Sequence, residues 1–233
     1  MNRFLIPGSV FLVFLSLSCR NDREPEHSGD IDPASIYLDY QVRGEEGNEL
    51  ITVLLQFRVE DSYGGTLPLD PPGQVELDGK AIVADSSRMT GTFYETQIWS
   101  DQLARTHTIV FTDANNKKYK EEFSFRPLIM VTQVPDTLHR SELVFDFHGL
   151  QPIDVIRVVI TDTTYPGNGT DQLDTARDGR LVIKKEEIDS VANGPVQLLF
   201  IREKETPIKN SPVKSGGRIA FSYTIKREFH LLD

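Results

Sequence analysis

The single thiol is the most reactive group in this chain. Cys19 is the sole cysteine, so no disulfide can close within the chain and no cysteine-based metal cluster can form. The imidazoles are His27, His107, His139, His148 and His230, and no two of them stand at a metal-binding spacing such as His-x-x-x-His. Nucleophilic catalysis would need Ser or Thr beside His and a carboxylate, and no Gly-x-Ser-x-Gly elbow occurs. Residues 171–179 (DQLDTARDG) can be aligned on a calcium loop with Asp174, Asp178 and Gly179 in the first, fifth and sixth places. Ala176 then takes the third place and Lys185 the twelfth, where a bidentate carboxylate belongs. The plain reading is an acidic turn. These residues predict no catalytic group, no metal site and no cofactor.

Binding chemistry has more to work with. Phe93, Tyr94 and Trp99 lie in one segment, and Tyr63 sits in a Gly-rich loop over 62–66. Exposed aromatic rings can stack on sugars, and Tyr94 and Trp99 are the candidates for that role. Aromatic residues at alternating strand positions more often pack against a sheet. Acidic residues outnumber basic ones 35 to 25, for a net charge of −10. A sequence-independent nucleic-acid binder carries the opposite sign, so no nucleic-acid partner is expected.

The N-terminus sets where such a surface would work. Residues 1–18 (MNRFLIPGSVFLVFLSLS) place Arg3 before an apolar run too short to span a bilayer, which needs about 20 residues. This is the layout of an export signal, and Cys19 follows it directly. Together they resemble a bacterial lipoprotein signal with its lipobox, of the loose Bacteroidetes type, with Ser16 where Leu is usual. The resemblance implies cleavage before Cys19, acyl chains on its sulfur and an outer-membrane location, since Arg20 rather than Asp comes next. An ordinary signal peptide with a chance cysteine, or an uncleaved anchor, is the alternative. Residues 20–33 (RNDREPEHSGDIDP) are polar and read, with Cys19, as a flexible tether.

Beyond the tether, apolar residues alternate with polar ones. Ile36, Leu38, Tyr40 and Val42 form one such series, and Ile51, Val53, Leu55, Phe57 and Val59 the next. Asp78-Gly79 between two short runs signals a type I′ hairpin, and residues 107–125 (HTIVFTDANNKKYKEEFSF) read as strand, turn and strand. Pro127 closes this set. A second set follows, with strands over 129–134, 143–147, 155–161, 180–183 and 196–202. A polar loop over 162–179 and a helical turn or two over 185–192 interrupt it. The long strand 218–231 ends the set, with Ile219, Phe221, Tyr223, Ile225, Phe229 and Leu231 on one face. The expected fold is all-β: an Ig-like β-sandwich over 34–127 and a second β-sandwich over 128–233. Residues 107–125 resemble the closing hairpin of immunoglobulin-like domains of bacterial envelope proteins, and residues 178–202 resemble the second sandwich of Bacteroidetes lipoproteins.

The functional expectation is a lipid-anchored, non-catalytic envelope protein that presents sandwich edges and loops to a protein or glycan partner. A carbohydrate- or small-ligand-binding accessory lipoprotein of an outer-membrane uptake system is the alternative, and a hydrolase with a loop-built site stands third. Asp136-Thr137-Leu138, Asp162-Thr163-Thr164, Asp174-Thr175-Ala176 and Asp189-Ser190-Val191 resemble the Bacteroidetes O-glycosylation sequon. That resemblance marks Thr137, Thr163, Thr175 and Ser190 as acceptors, against an ordinary turn role for the same Asp and Thr pairs.

Overall fold

A computed structural model describes residues 27–164, 169–212 and 216–233. Cys19, the export signal and the first part of the tether lie outside the described residues. The first half of the chain forms β1 (Ile36–Glu45), β2 (Leu50–Val59), β3 (Gln74–Leu77), β4 (Lys80–Ala81), β5 (Ala84–Ser87), β6 (Gly91–Trp99), β7 (His107–Thr112) and β8 (Lys118–Phe123). The second half forms β9 (Ile129–Met130), β10 (Thr137–His139), β11 (Leu143–His148), β12 (Ile153–Asp162), β13 (Thr170–Arg177), β14 (Arg180–Ile183), β15 (Gly194–Pro207) and β16 (Gly217–Leu232). The only helical pieces among the described residues are short 3-10 turns. The all-β sandwich architecture read from the sequence holds.

In the first half, β5-β6-β2-β1 continue into β16 and β15, and β4-β3-β7-β8 form the facing sheet. The side chains that alternate inward along β1 and β2, from Ile36 to Val42 and from Ile51 to Phe57, are buried. Phe57 of β2 meets Phe111 of β7 at 4.7 Å between ring centroids, which joins the layers. Asp78 and Gly79 take φ of 50° and 78°, the left-handed pair that a type I′ turn requires. In the second half, β16, β15, β12 and β13 lie side by side, and the chain folds over at the β13–β14 turn into β14-β11-β9. Phe145 and Phe147 of β11 pack edge-on against Phe200 of β15, at 4.9 and 5.0 Å.

Two consecutive units divided at 127/128 would assign β15 and β16 wholly to the second. The register places them in both. β15 and β16 pair without a break from Gly194↔Leu231 to Pro207↔Arg218, a ribbon about 45 Å long at roughly 3.3 Å per residue. The start of β16 runs parallel to β1, from Leu38↔Gly217 to Glu45↔Thr224. Phe221 of β16 accordingly stacks on Phe125, 5.1 Å away, in the core of the first sandwich. Asp39 of β1 is buried between Arg58 of β2 at 3.2 Å and Arg218 of β16 at 2.9 Å, so one carboxylate clasps three neighbouring strands.

Two local expectations are corrected. The polar loop over 162–179 is largely strand: β13 pairs with β12 from Ile153↔Arg177 to Ile160↔Thr170. Its buried inward side chain is Ala176, which is why hydrophobic alternation did not reveal it. The flexible tether also ends earlier than residue 33. Ser28–Asp30 and Pro33–Ser35 are 3-10 turns, and Asp70 fixes the first of them. Its carboxylate accepts the Gly29 N–H at 3.1 Å and faces His27 Nδ1 at 3.0 Å. Those two bonds hold the Asp70 carboxyl below the usual carboxylate range.

Candidate functional site

The hairpin gives the molecule two ends. One is the tether end, where Ser35 accepts the Glu60 N–H at 2.7 Å. The other carries the start of β15, the end of β16 and the end of β12. A groove of ≈ 540 Å³ opens at that far end, lined by Asp136, Thr161, Thr163, Gln197, Glu228 and His230 among others. The register explains the grouping: Pro195 lies opposite His230, Gln197 opposite Glu228, and Thr137 beside His230. Many of its polar groups hold one another. The Asp162 carboxylate accepts the N–H groups of Thr164 at 3.0 Å and Ala192 at 2.9 Å. Lys226 reaches Glu228 at 2.7 Å and keeps its carboxyl below the usual range. The groove is a shaped surface in which the Asp162 and Glu228 carboxylates are already engaged.

The two stacking candidates are separated. Trp99 is 53% exposed and edges a second groove of ≈ 440 Å³ with Glu49, Ser100, Asp101 and Gln102. Tyr94 is 4% exposed; its ring meets Phe57 edge-on at 5.5 Å and its hydroxyl accepts the Leu69 N–H at 2.8 Å. Burial pushes the Tyr94 hydroxyl pKa up. Five positions separate the two residues on one strand, and an odd offset points side chains to opposite faces. Tyr94 is therefore a core residue, which corrects its assignment to ligand stacking.

Thr137, Thr163, Thr175 and Ser190, the residues of the sequon-like tripeptides, are exposed. Thr163 lines the far-end groove, and Thr137 stands beside its His230. The histidines are dispersed. His107 is buried, with Nδ1 2.7 Å from Asp78 and Nε2 2.9 Å from the Gln102 carbonyl, and it stacks on Phe123. His148 and His230 face solvent, as their strand parity predicts. Along the supposed calcium loop, Asp171 is held by two bonds from Arg157 and Asp174 by Gln172. Among the described residues no group of three His, Cys, Asp or Glu side chains could hold a metal ion.

Sequence reasoning passed over Arg202. It lies 7% exposed on the inward face of β15, in line with Leu198 and Phe200. Its guanidinium donates to the carbonyls of Arg126 at 3.0 Å and Gly149 at 2.9 Å, and to Asp154 at 2.7 Å. It also lies 5.4 Å from the Phe125 ring centroid. One side chain thus binds the last residues of the first sandwich to the β11–β12 loop and the start of β12 in the second. Its signal was parity: a charged residue in phase with core residues must find partners.

No family model matches the chain, and no curated protein does. Faint structural likenesses exist. A tetra-tandem repeat from the extending region of a large adhesion protein is 13% identical, with 82% of this chain and 49% of that one covered and a TM-score of 0.26. SGBP-B of the Bacteroides ovatus mixed-linkage glucan utilization locus, in complex with a mixed-linkage heptasaccharide, is 10% identical, with 78% and 53% covered and a TM-score of 0.21. DIP-gamma IG1+IG2 is 9% identical, with 82% and 99% covered and a TM-score of 0.23. The chain spans about half the length of the first two. Likenesses this faint carry no argument about function.

Proposed function

We propose that this chain is a lipid-anchored cell-envelope protein of the outer membrane. It would act as a non-catalytic structural or adhesive module with an envelope protein or a glycan as partner. The observation that supports the reading best is the unbroken β15–β16 ribbon. It joins both sandwiches into one body with the tether at one end and the open groove at the other, a layout that presents a surface at a distance from its attachment. Cys19 supplies the attachment. Each buried acyl CH₂ contributes about 0.8 kcal/mol, and two or more chains hold a protein durably on a bilayer. Cys19→Ala is expected to abolish labelling by a radioactive fatty acid and to move the protein out of the membrane fraction. Label that persists in the variant would defeat the anchor.

Trp99 favours a second reading, a carbohydrate-binding accessory lipoprotein of an uptake system. Its half-exposed indole stands beside Glu49 and Asp101, an apolar plate next to hydrogen-bonding carboxylates. Under this reading, polysaccharides set in a native gel retard the protein, and Trp99→Ala removes most of that retardation, since one stacking ring is worth about 0.5–1.5 kcal/mol beyond the area it buries. Equal mobility with and without polysaccharide favours the adhesive module.

A further inference from the structure

We infer that the tether end of the first sandwich is a lipid-contacting rim, with Tyr63 and Met89 reaching into the interfacial zone of the phospholipid layer that carries the anchor. The inference rests on the lipid-anchored reading and deepens it. Tyr63 and Met89 are 95% and 97% exposed. Single exposed apolar side chains are ordinary. These two sit on neighbouring loops, and both loops are built to hold them out.

The loop after β2 is tight. Glu60 takes φ of 66°. The Tyr63 N–H donates to the Asp61 carboxylate at 2.7 Å, and the Gly64 N–H to the Asp61 carbonyl at 3.2 Å. A Cβ on Gly64 would lie 1.7 Å from the Val59 carbonyl oxygen, so only glycine allows this path. The turn carrying Met89 is closed by the Thr90 N–H on Ser87 Oγ at 3.0 Å and held to β2 by Gln56 on the Thr90 carbonyl at 3.0 Å. Thr66 Oγ1 receives the Thr92 N–H at 2.8 Å and ties the two loops together. A ring and a thioether fixed in water gain nothing from that order; against acyl chains and headgroups each gains burial.

Position selects lipid as the occupant. Ser28 bonds to Pro68 alongside β2, and the Glu60 N–H bonds to Ser35, so the chain passes this end as it enters β1. Seven residues lie between Cys19 and His27, and the eight steps span at most about 28 Å when fully extended. An anchored molecule therefore keeps His27 within about 28 Å of the bilayer, which lets this end reach it. The charged groups on the two loops are Glu60, Asp61 and Arg88, an acidic set that gives anionic headgroups no purchase. Contact should accordingly be as strong on zwitterionic phosphatidylcholine as on anionic lipid, and insensitive to salt.

The test uses the natural single tryptophan. Lipidated full-length protein is reconstituted in phosphatidylcholine vesicles containing brominated acyl chains, with Trp99 unchanged, or with Trp99→Phe combined with Tyr63→Trp or Met89→Trp. Tryptophan at 63 or 89 should shift to the blue and lose emission by roughly twofold, because an interfacial side chain sits about 5–10 Å into the headgroup–acyl boundary. Trp99, at the opposite end of β6, should keep its emission. Protein that carries the acyl label and floats with the vesicles, but shows no quenching at 63 or 89, overturns the rim and leaves the anchor standing. Protection of 63 and 89 in cells without quenching on pure lipid assigns the rim to a protein and likewise overturns it. Absence of acyl label on Cys19 overturns the anchor, and the rim with it.

Discussion

Replacing Phe200 with Ala is expected to lower the unfolding free energy by about 3–5 kcal/mol, the usual cost of emptying a buried phenylalanine site. Phe200 is fully buried on β15 and receives the edges of Phe145 and Phe147, so no neighbour on the far layer can close the void without moving β11. The consequence reaches beyond the second sandwich. Phe200 lies opposite Ile225 in the β15–β16 ladder, and the same ribbon runs on into the first sandwich, where β16 pairs with β1. Loosening the ribbon in one sandwich weakens the β15–β16 strand pair that borders β1 in the other. Trp99 gives an independent report, because it belongs to β6 in the first sandwich. In urea, tryptophan fluorescence and far-UV circular dichroism should move together to a lower midpoint in a single transition, by about 1–2 M for a slope of roughly 2–3 kcal/mol per M. A circular-dichroism midpoint that falls while the Trp99 midpoint stays fixed would show two independently folding units and defeat the shared-ribbon argument.

The alternation that made β1, β2 and β16 legible reports which face a side chain takes, because successive residues in a strand point opposite ways. It does not report which strand lies alongside. Nothing in residues 217–224 names residues 38–45 as their parallel neighbours; that pairing is set by the packing of Phe221 against Phe123 and Phe125. A division of the chain by composition therefore fell at Pro127, where the turn signals are, although the sheet crosses it. β13 stayed hidden for a different reason. Its outward side carries Asp171, Leu173 and Thr175 over a salt-bridged Arg157, and its inward side carries Gln172, Asp174 and Ala176. Neither face reads as apolar. The separation of Tyr94 from Trp99 lies in their odd offset, which divides them between core and surface although both read as stacking candidates. Tyr63 and Met89 were not legible, because their loops are held together and to β2 by long-range bonds between side chains and backbone.

Replacing Arg202 with Ala is expected to cost about 3–5 kcal/mol, the range for breaking a buried ion pair by removing one partner. The Asp154 side chain, 19% exposed, would lose its cation, and the Arg126 and Gly149 carbonyls would lose their donor. Arg202→Met separates packing from charge. It restores most of the aliphatic volume against Phe125, so a loss close to that of Ala assigns the cost to the missing hydrogen bonds, and a much smaller loss assigns it to packing. Position distinguishes this residue from other salt bridges such as Arg180–Asp146, which is exposed and belongs with pairs worth about 0–1 kcal/mol. Arg202 sits where the chain passes from β8 to β9. Its removal should free that crossing even under conditions where the ribbon still holds both sandwiches, and native-state proteolysis reads this directly. Thermolysin should cut near Leu128 in Arg202→Ala at low urea and leave the parent intact. A variant that is destabilised yet protected there would mean that the β15–β16 ribbon alone fixes the junction. The guanidinium would then serve the local fold of the loop around Gly149 and not the union of the two sandwiches.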